Sequence, residues 1–249
     1  NFYDVQREAE AYFEEAGTGR GTSYKIYKRW EYMNYDRTFP SGERPRQDHL
    51  WNEMKKFNEM HSSKAKISST WEELGPRVWQ ENTGHWNPGI GRINVIAIDP
   101  NDPEIIYIGA PSGGCWKTTN EGETWDVLTD DLPVMGVSAI AIDPTNSDVI
   151  YIGTGDRDAS DNYSIGVLKS TDGGLNWETT GMEHSIYQNL TVEKLLIHPD
   201  DPNTIFCAVN NGLFRSYDGA ETWEEILSGH IDDIEFKPGD PSTIYAITT

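Results

Sequence analysis

The stretch STDGGLNW at residues 170–177 decides how the rest of this sequence is interpreted, because a similar stretch lies at a regular distance on each side of it. These two stretches are TTNEGETW at residues 118–125 and SYDGAETW at residues 216–223. The Asp or Asn at the third position recurs after 52 residues and then after 46. These distances suit a blade of four β-strands once a loop insertion is allowed. The sequence therefore predicts a repeat protein of the propeller type.

Each octet has the chemistry of a tight turn between two strands. The first hydroxyl and the acidic side chain two positions later can accept main-chain N–H bonds, a Gly takes up positive φ, and the closing Trp packs between sheets. The pattern resembles the Asp-box, also called the BNR repeat, which in that family lies away from any active site. The resemblance implies a structural role for these residues: Thr118, Asn120, Gly122, Trp125, Ser170, Asp172, Gly174, Trp177, Ser216, Asp218 and Trp223.

The third octet departs from the pattern at one position. Ala220 stands where the other two copies have Gly. A side chain with a Cβ is strained at positive φ. The sequence therefore predicts either a strained positive φ at Ala220 or a relaxed turn in the third copy.

Short apolar runs flank each octet in the order that a four-stranded blade requires. The runs of the first repeat are 93–98, 105–109, 115–118 and 124–128. The innermost run recurs at 137–142, at 192–197 and from Ile231 onward. We therefore predict an all-β fold, a β-propeller of four-stranded blades with about three and a half blades visible. Because propellers close with four to eight blades, we expect this chain to be part of a larger ring.

Residues 1–66 lack the repeat and predict a helical, aromatic segment packed on the propeller of residues 67–249. Apolar residues at spacings of three and four predict one helix from Phe2 to about Gly17 and another over residues 47–60. The aromatic and basic run between them, at residues 24–32, could bind nucleic acid or a sugar. We favour the other interpretation, in which such stems and rings cover the flank of a neighbouring domain.

The segment at residues 68–74 resembles the strand that follows an octet, but no octet precedes it. An outermost strand supplied by the start of the chain would pair with the last blade and remove an exposed sheet edge. We therefore predict that this segment closes the ring.

The two cysteines fall in different repeats. Aligning the repeats places Cys115 just before the first octet and Cys207 in a strand two repeats later. A disulfide needs Cα atoms within about 7 Å, which residues of non-adjacent blades do not satisfy. We expect two buried hydrophobic side chains rather than a bridge.

The net charge of −21 comes entirely from the repeat region. Residues after 64 hold 30 of the 41 acidic side chains but 9 of the 20 basic ones. Such a surface repels phosphate backbones and anionic lipids, so we expect no nucleic-acid partner. No apolar run approaches the roughly 18 residues that a membrane-spanning helix needs. The chain begins without Met, which indicates a removed leader or a trimmed chain.

Across residues 67–249 the sequence resembles the Asp-box propellers of the sortilin-type and xyloglucanase-type superfamily. The stretch GRINVIAIDP at 91–100, followed by APSGG at 110–114, is similar to large secreted proteins of Bacteroidetes. The stretch NFYDVQ at 1–6 resembles the mature start of those proteins. Many of them are exported by the type IX secretion system. The resemblance implies a secreted or cell-surface protein whose partner during export is the type IX machinery.

Two hydrolase classes share this resemblance. Xyloglucanase-type enzymes use two carboxylates facing a glycan cleft, the first in a Thr-Asp-Ile-Gly-Gly stretch where this sequence has Pro111. Sialidases need three converging Arg and an Arg-Ile-Pro signature, whereas Arg92 is followed here by Ile93 and Asn94. We therefore assign no catalytic residue in this chain and regard an enzyme as the less favoured class. The alternative is a glycoside hydrolase of xyloglucanase or sialidase type with its catalytic carboxylates outside this chain.

The second repeat carries a longer loop than the first. Its second and third strands are joined through residues 152–169, whereas the first repeat uses residues 108–117. Strand directions place this loop opposite the octets, on the face that carries the ligand in most propellers. The candidate ligand-binding residues of the loop are Asp156, Arg157, Asp158 and Asp161.

The three Asp of this loop could also bind a metal. Asp156, Asp158 and Asp161 could supply oxygen ligands to calcium, the possible cofactor. The alternative is a solvated acidic loop in which Arg157 pairs with a neighbouring Asp.

Trp79 and Trp86, just before the first inner strand, could form a platform on which sugars stack, or they could cap the core. The loops at residues 130–135 and 184–189 reach the same face as the long loop. We predict a secreted or cell-surface recognition or adhesion module that binds protein or glycan on that face. A structural spacer in a long surface filament is a third possibility.

Overall fold

The computed structural model describes residues 1–44, 49–60, 91–159 and 162–249. The chain divides into two compact units, Asn1–Ala65 and Lys66–Thr249. The ring-closing strand predicted at residues 68–74 lies outside the described residues. In the part of the chain that is described, no helix is long and apolar enough to cross a membrane.

The N-terminal unit contains three helices, α1 (Phe2–Ala16), α2 (Tyr24–Thr38) and α3 (His49–Met60). The two predicted helices are confirmed as α1 and α3, and α1 ends at Gly17 with φ 75°. The aromatic and basic run at residues 24–32 has no clear apolar period, but it folds as the first part of α2. Its helical state is a feature that the sequence pattern does not reveal.

Aromatic packing and a polar contact join α1 to α2. Phe2 is buried and stacks on Trp30 of α2 with ring centroids 5.3 Å apart. Glu31 of α2 accepts a hydrogen bond from Gln6 of α1 at 3.1 Å and another from Tyr27 at 2.7 Å. Helices α1 and α2 of the N-terminal unit therefore pack together through aromatic side chains.

The second unit is built from short strands separated by turns. Fourteen are present in the described residues: β1 (Val95–Ile98), β2 (Ile106–Ala110), β3 (Gly114–Thr118), β4 (Asp126–Val127), β5 (Val137–Ile142), β6 (Ile150–Thr154), β7 (Gly166–Ser170), β8 (Glu178–Glu183), β9 (Val192–His198), β10 (Asp201–Val209), β11 (Gly212–Ser216), β12 (Glu224–Ser228), β13 (Ile231–Lys237) and β14 (Asp240–Thr248).

These strands form antiparallel sheets in chain order. Strands β1 to β4, β5 to β8 and β9 to β12 make three four-stranded sheets, and β13 pairs with β14. The first strand of each sheet contacts the first strand of the next, so that β1, β5, β9 and β13 follow one another. This is the radial arrangement of propeller blades. The predicted all-β fold and the three and a half blades are confirmed, and the chain is a partial propeller.

Close approach between blades depends on small residues in the second strands. Gly153 of β6 faces Val192 of the next blade, and a Cβ at residue 153 would lie 2.3 Å from Cγ1 of Val192. Cys207 lies in the cluster between the second and third blades. Cys115 and Cys207 are both buried free thiols, as predicted, and burial raises the pKa of Cys115 to about 12. Neither thiol ionises at neutral pH, so they act as packing residues.

All three octets form the same turn between the third and fourth strands of a blade. In the second octet, the N–H of Gly174 donates to Ser170 Oγ and the N–H of Asn176 donates to Asp172 Oδ1, both at 2.9 Å. The equivalent bonds in the first and third octets have the same length. Hydroxyl and carboxylate or amide oxygens therefore satisfy the main-chain donors of each turn.

Two consecutive residues of each turn have positive φ. They are Gly173 and Gly174 in the second octet, with φ 71° and 95°. The corresponding residues of the first octet are Glu121 and Gly122, at 54° and 91°, and those of the third are Gly219 and Ala220, at 72° and 76°. Of the two outcomes predicted for Ala220, the strained positive φ is the one observed.

Each of the later turns is held by the preceding blade. The Tyr107 hydroxyl and the Lys117 ammonium both donate to the main-chain oxygen of Gly173, each at 3.4 Å. The same contact recurs one blade later at 3.2 Å, where Tyr151 and Lys169 donate to Gly219. The octets thus lie at blade boundaries and fix the spacing of neighbouring blades.

Candidate functional site

Strand order separates the two ends of the propeller. The octet turns lie at the end where β1, β5 and β9 finish, whereas the connections from second to third strands lie where these strands begin. We call this second end, formed by the starts of β1, β5, β9 and β13 and by those connections, the upper face. The connection at residues 155–165 is much longer than its equivalent at residues 111–113. The upper face therefore carries the long loop of the second blade.

A polar residue occupies the same register position at the start of all four inner strands. The residues opposite equivalent positions of the second strands are Val95, Ala139, Lys194 and Asp233. The residues just before them, which we call the mouth residues, are Asn94, Ser138, Glu193 and Asp232. In β5, β9 and β13 the strand pairing shifts at this point, as at a β-bulge. A bulge redirects a side chain, so the mouth residues form a polar ring segment around the propeller axis.

Asp156 of the long loop is tied to the first blade. Its side chain is fully buried, and both of its oxygens accept from one guanidinium nitrogen of Arg92 at 2.6 Å. Oδ1 also accepts from Asn94 Nδ2 at 3.2 Å and from the N–H of Asp158 at 3.2 Å. Burial acts to raise the pKa of Asp156, but these hydrogen bonds outweigh it and the pKa lies below its ordinary value. Asp156 is an ionised carboxylate that fixes the base of the loop.

Arg157 spans the mouth of the propeller. One terminal nitrogen donates to the main-chain oxygen of Asn94 at 2.9 Å, and the other donates to that of Glu193 at 3.4 Å. The side chain of one loop therefore joins mouth residues of the first and third blades. Among the residues that the structure describes, two main-chain carbonyls hold the guanidinium and no carboxylate pairs with it, so its positive charge lies at the upper face.

Glu193 is a nearly buried carboxyl group, with 6% of the residue exposed. Burial raises the pKa of Glu193 to about 7, and the charges of Asp232, Asp158 and Asp156 act in the same direction. The charge of Arg157 acts against them. At neutral pH the carboxyl is therefore divided between its two protonation states.

His230 stands between two mouth residues of adjacent blades. Its Nε2 is 3.5 Å from Asp232 Oδ1 and 4.0 Å from Glu193 Oε1. About half of the imidazole is exposed. The group of Glu193, His230 and Asp232 is thus open to solvent on the side of the histidine.

Several acceptor oxygens of the mouth lack a donor among the described residues. Asn94 Oδ1 and Asp232 Oδ2 are buried atoms without a hydrogen-bond partner in that part of the chain. No described residue donates a hydrogen bond to the Glu193 carboxyl either, and His230 at 4.0 Å is its nearest ion-pair neighbour. Buried acceptors without donors are costly. The mouth is therefore suited to a ligand that brings hydrogen-bond donors.

The loop at residues 184–189, predicted to reach this face, contributes the half-buried imidazole of His184. His184 Nδ1 lies 3.2 Å from Ser164 Oγ, and Ser164 in turn contacts Thr154 at 3.1 Å. Burial lowers the pKa of His184 to about 4. His184 is neutral at physiological pH and helps to hold the end of the long loop.

The loop at residues 130–135 was also predicted to reach this face. Its main-chain oxygen at Met135 accepts a hydrogen bond from the N–H of Gly114 at 2.8 Å.

The structure brings together three of the predicted ligand-binding residues, Asp156, Arg157 and Asp158. The predicted Trp79, Trp86 and Asp161 lie outside the described residues. No group of three His, Cys, Asp or Glu that could hold a metal occurs in the described part. Since Asp161 is not part of it, calcium binding by the loop stays a prediction.

The sequence prediction missed the partners of the loop. These are Arg92, Asn94, Glu193, His230 and Asp232. A signal was present, because Asn, Ser, Glu and Asp stand at one position of the four aligned repeats, where an inner strand would be expected to continue its apolar alternation.

Comparison with known proteins gives partial matches, and no protein-family model matches the sequence. A xyloglucanase of Paenibacillus sp is 30% identical over 152 residues, which make up 56% of this chain and 15% of that protein. The xyloglucanase Xgh74A of Acetivibrio thermocellus is 31% identical over 153 residues, covering 56% of this chain and 18% of that protein. The matched region thus spans less than a fifth of each relative.

Solved structures with a similar fold include two GH74 proteins. An ancestral GH74 enzyme superposes with a TM-score of 0.53 at 22% identity, covering 63% of this chain and 22% of that one. The GH74 xyloglucanase from Xanthomonas campestris gives a TM-score of 0.50 at 19% identity, covering 64% and 27%. At this level of identity the likeness supports the β-propeller fold and nothing finer.

Proposed function

We propose that this chain is the recognition part of an exported propeller protein and that it binds a glycan on the upper face. The observation that carries the proposal is the pair of buried oxygens without a donor at Asn94 and Asp232, together with the nearly buried Glu193 carboxyl, to which no described residue donates a hydrogen bond. Sugar hydroxyls are hydrogen-bond donors that can reach such oxygens. Arg157 and Asp158 of the long loop border the same mouth and would contact the ligand from one side.

The relatives favour a glycan over a protein ligand. Both matched relatives are named for a polysaccharide, xyloglucan, at 30% and 31% identity. The octets are consistent with Asp-box repeats. Because the chain resembles secreted proteins that carry such repeats, we also propose that it is secreted to the cell surface or medium through the type IX machinery. The net charge of −21 disfavours nucleic acid as the ligand, because such a surface repels phosphate backbones.

Glycan binding is tested with the intact protein on an array of plant and bacterial polysaccharides that includes xyloglucan, followed by calorimetry on the best ligand. The double variant R157Q/D158N is expected to bind at least tenfold more weakly. The matched control is Glu123→Gln, which removes an exposed acid from an octet at the opposite end. Unchanged binding by the double variant, or capture of a protein and of no glycan, would overturn the proposal.

A glycoside hydrolase is the second candidate, favoured by the names of the relatives. At the position expected for the first catalytic Asp stands Pro111, whose main-chain oxygen accepts a hydrogen bond from Asn162. This segment therefore offers no carboxylate for acid or base catalysis. Turnover of a polysaccharide panel by the intact protein would establish the hydrolase, with its carboxylates outside the described residues.

Calcium is the one cofactor that we propose for the long loop. Both oxygens of Asp156 already accept from Arg92, so Asp158 and Asp161 would have to supply most of the ligands. A calcium-dependent rise in Tm that is lost in Asp158→Asn would support the site. An unchanged Tm in millimolar calcium would exclude it.

A further inference from the structure

We propose that Glu193, His230 and Asp232 bind a primary ammonium group, and that the glycan recognised on the upper face therefore carries a free amino sugar. This inference rests on the proposed glycan recognition and specifies its ligand. The three side chains come from the starts of two adjacent inner strands, β9 and β13. Glu193 and Asp232 are acceptors on which the proposed glycan binding already rests, and His230 adds a third group beside them.

The geometry suits a small donor at the centre of the group. Nε2 of His230 lies 3.5 Å from Asp232 Oδ1 and 4.0 Å from Glu193 Oε1. A neutral imidazole that holds its proton on Nδ1 presents an acceptor at Nε2. The site then offers three acceptors within a few ångströms. An ammonium group has three donors and no acceptor, so it can bind to all three at once.

Burial supplies a second, independent reason for a ligand. Glu193 is more than nine-tenths buried, and no described residue donates a hydrogen bond to its carboxyl. Its Oε1 faces the partly exposed His230, which gives a ligand access from solvent. Asp232 Oδ2 is also buried and lacks a partner in the described part of the chain. Leaving a carboxylate buried without donors is unfavourable, and a ligand that supplies them relieves the cost.

Charge selects an ammonium over a neutral hydroxyl. Asp156, Asp158 and Asp232 all disfavour a negative charge on Glu193. Arg157 opposes them, but its guanidinium is directed at the main-chain oxygens of Asn94 and Glu193. A sugar hydroxyl would satisfy the acceptors without changing the charge. An ammonium group also neutralises the carboxylate, whereas an acidic sugar would be repelled.

The experiment compares three oligosaccharides of equal length on the intact protein by calorimetry at pH 7, where both the sugar ammonium and the Glu193 carboxylate are populated: glucosamine, N-acetylglucosamine and glucose oligomers. We expect the glucosamine oligomer to bind at least tenfold more tightly than the other two. Glu193→Gln, which keeps the shape of the side chain, is expected to remove this preference. Glu235→Gln is the matched control, because Glu235 is an exposed acid of β13 that pairs with Lys194, and it should retain the preference.

The outcomes separate this inference from the proposed function. Equal binding of the three oligomers, or a preference that survives in Glu193→Gln, would overturn the ammonium site and leave glycan recognition intact. Failure of every glycan to bind would overturn both. A lysine-rich peptide is the fourth ligand: tighter binding than the glucosamine oligomer, with the same loss in Glu193→Gln, would support the ammonium site but overturn the amino sugar as its source.

Discussion

The guanidinium of Arg157, in the second blade, donates a 2.9 Å hydrogen bond to the main-chain oxygen of Asn94, in the first. Its other terminal nitrogen reaches the main-chain oxygen of Glu193, in the third blade, at 3.4 Å. One side chain thus connects two blades that share no sheet pairing. Arg157 therefore stabilises the contact between the first and third blades, a role that we call the brace, and it also places a positive charge near Glu193.

Replacing Arg157 by Gln is expected to lower the free energy of unfolding by about 1–3 kcal/mol, because two carbonyls lose a charged donor. Arg157→Lys should recover little of this, since an ammonium lacks the fork that reaches both oxygens. Urea unfolding followed by tryptophan fluorescence measures the loss. The control is Arg215→Gln, because the exposed ion pair of Arg215 with Glu224 should contribute less than about 1 kcal/mol. Equal losses in the two Gln variants would contradict the brace.

The contact between Tyr151 and Gly219 predicts a second stability effect. The Tyr151 hydroxyl is buried and donates at 3.2 Å to an octet turn of the next blade. Tyr151→Phe is expected to cost about 0.5–1.5 kcal/mol, because the carbonyl loses a buried donor. The exposed Tyr217 provides the control, and Tyr217→Phe should change stability by less than about 0.5 kcal/mol. A loss in Tyr217→Phe as large as in Tyr151→Phe would show that the contact between blades contributes nothing.

The blades could be predicted from sequence because their determinants are local. The octet at residues 170–177 is closed by hydrogen bonds between residues four apart, such as those of Ser170 with Gly174 and of Asp172 with Asn176. Apolar alternation then sets the inner strands. Helix α2 was harder to predict, because Tyr24, Tyr27 and Trp30 pack against α1 and give a weak amphipathic pattern.

The mouth of the propeller could be predicted only in part, because its contacts are distant in sequence. The long loop is visible as an insertion, but Arg92 and Asp156 are 64 positions apart. The burial of Glu193 depends on a shift of strand pairing between β9 and β10. Such a shift follows from how two strands align in three dimensions. The residues around position 193 do not indicate it by themselves, and only the alignment of the four repeats shows that a polar residue recurs there.

Glu121 predicts a stabilising substitution. It occupies the first positive-φ position of its turn, at 54°, where the other two octets have Gly. Left-handed backbone costs a residue with a Cβ roughly 1–2 kcal/mol, and the greater freedom of Gly in the unfolded chain offsets part of the gain. Glu121→Gly should therefore raise the free energy of unfolding by about 0.5–1 kcal/mol. Glu123→Gly, in the same turn but without positive φ, should lower it. Destabilisation by both variants would contradict the strain at residue 121.

The side chains of Glu193 and His184 give the free energy of unfolding opposite dependences on pH. The folded-state pKa of Glu193 is raised to about 7 by burial, from about 4.3 in an unfolded chain. The folded protein therefore holds the proton of the Glu193 carboxyl more tightly than the unfolded chain does. The stability that this protonated carboxyl contributes to the folded protein is lost as pH rises from about 4.3 to 7. Burial lowers the pKa of His184 to about 4, from about 6.5 when unfolded. The stability that the neutral His184 imidazole contributes is present above pH 6.5 and is lost as pH falls toward 4.

Single substitutions separate the two effects. In Glu193→Gln the loss of stability between pH 5 and 7.5 should disappear, a change of about 2–3 kcal/mol across that range. In His184→Gln the loss on acidification from pH 6.5 to 4.5 should become smaller, while the loss on the alkaline side remains. Urea unfolding at half-unit intervals from pH 4 to 8 measures both slopes. If Glu193→Gln keeps the parent slope above pH 5, the carboxyl is not buried as described, and the acceptor site at the mouth loses its basis.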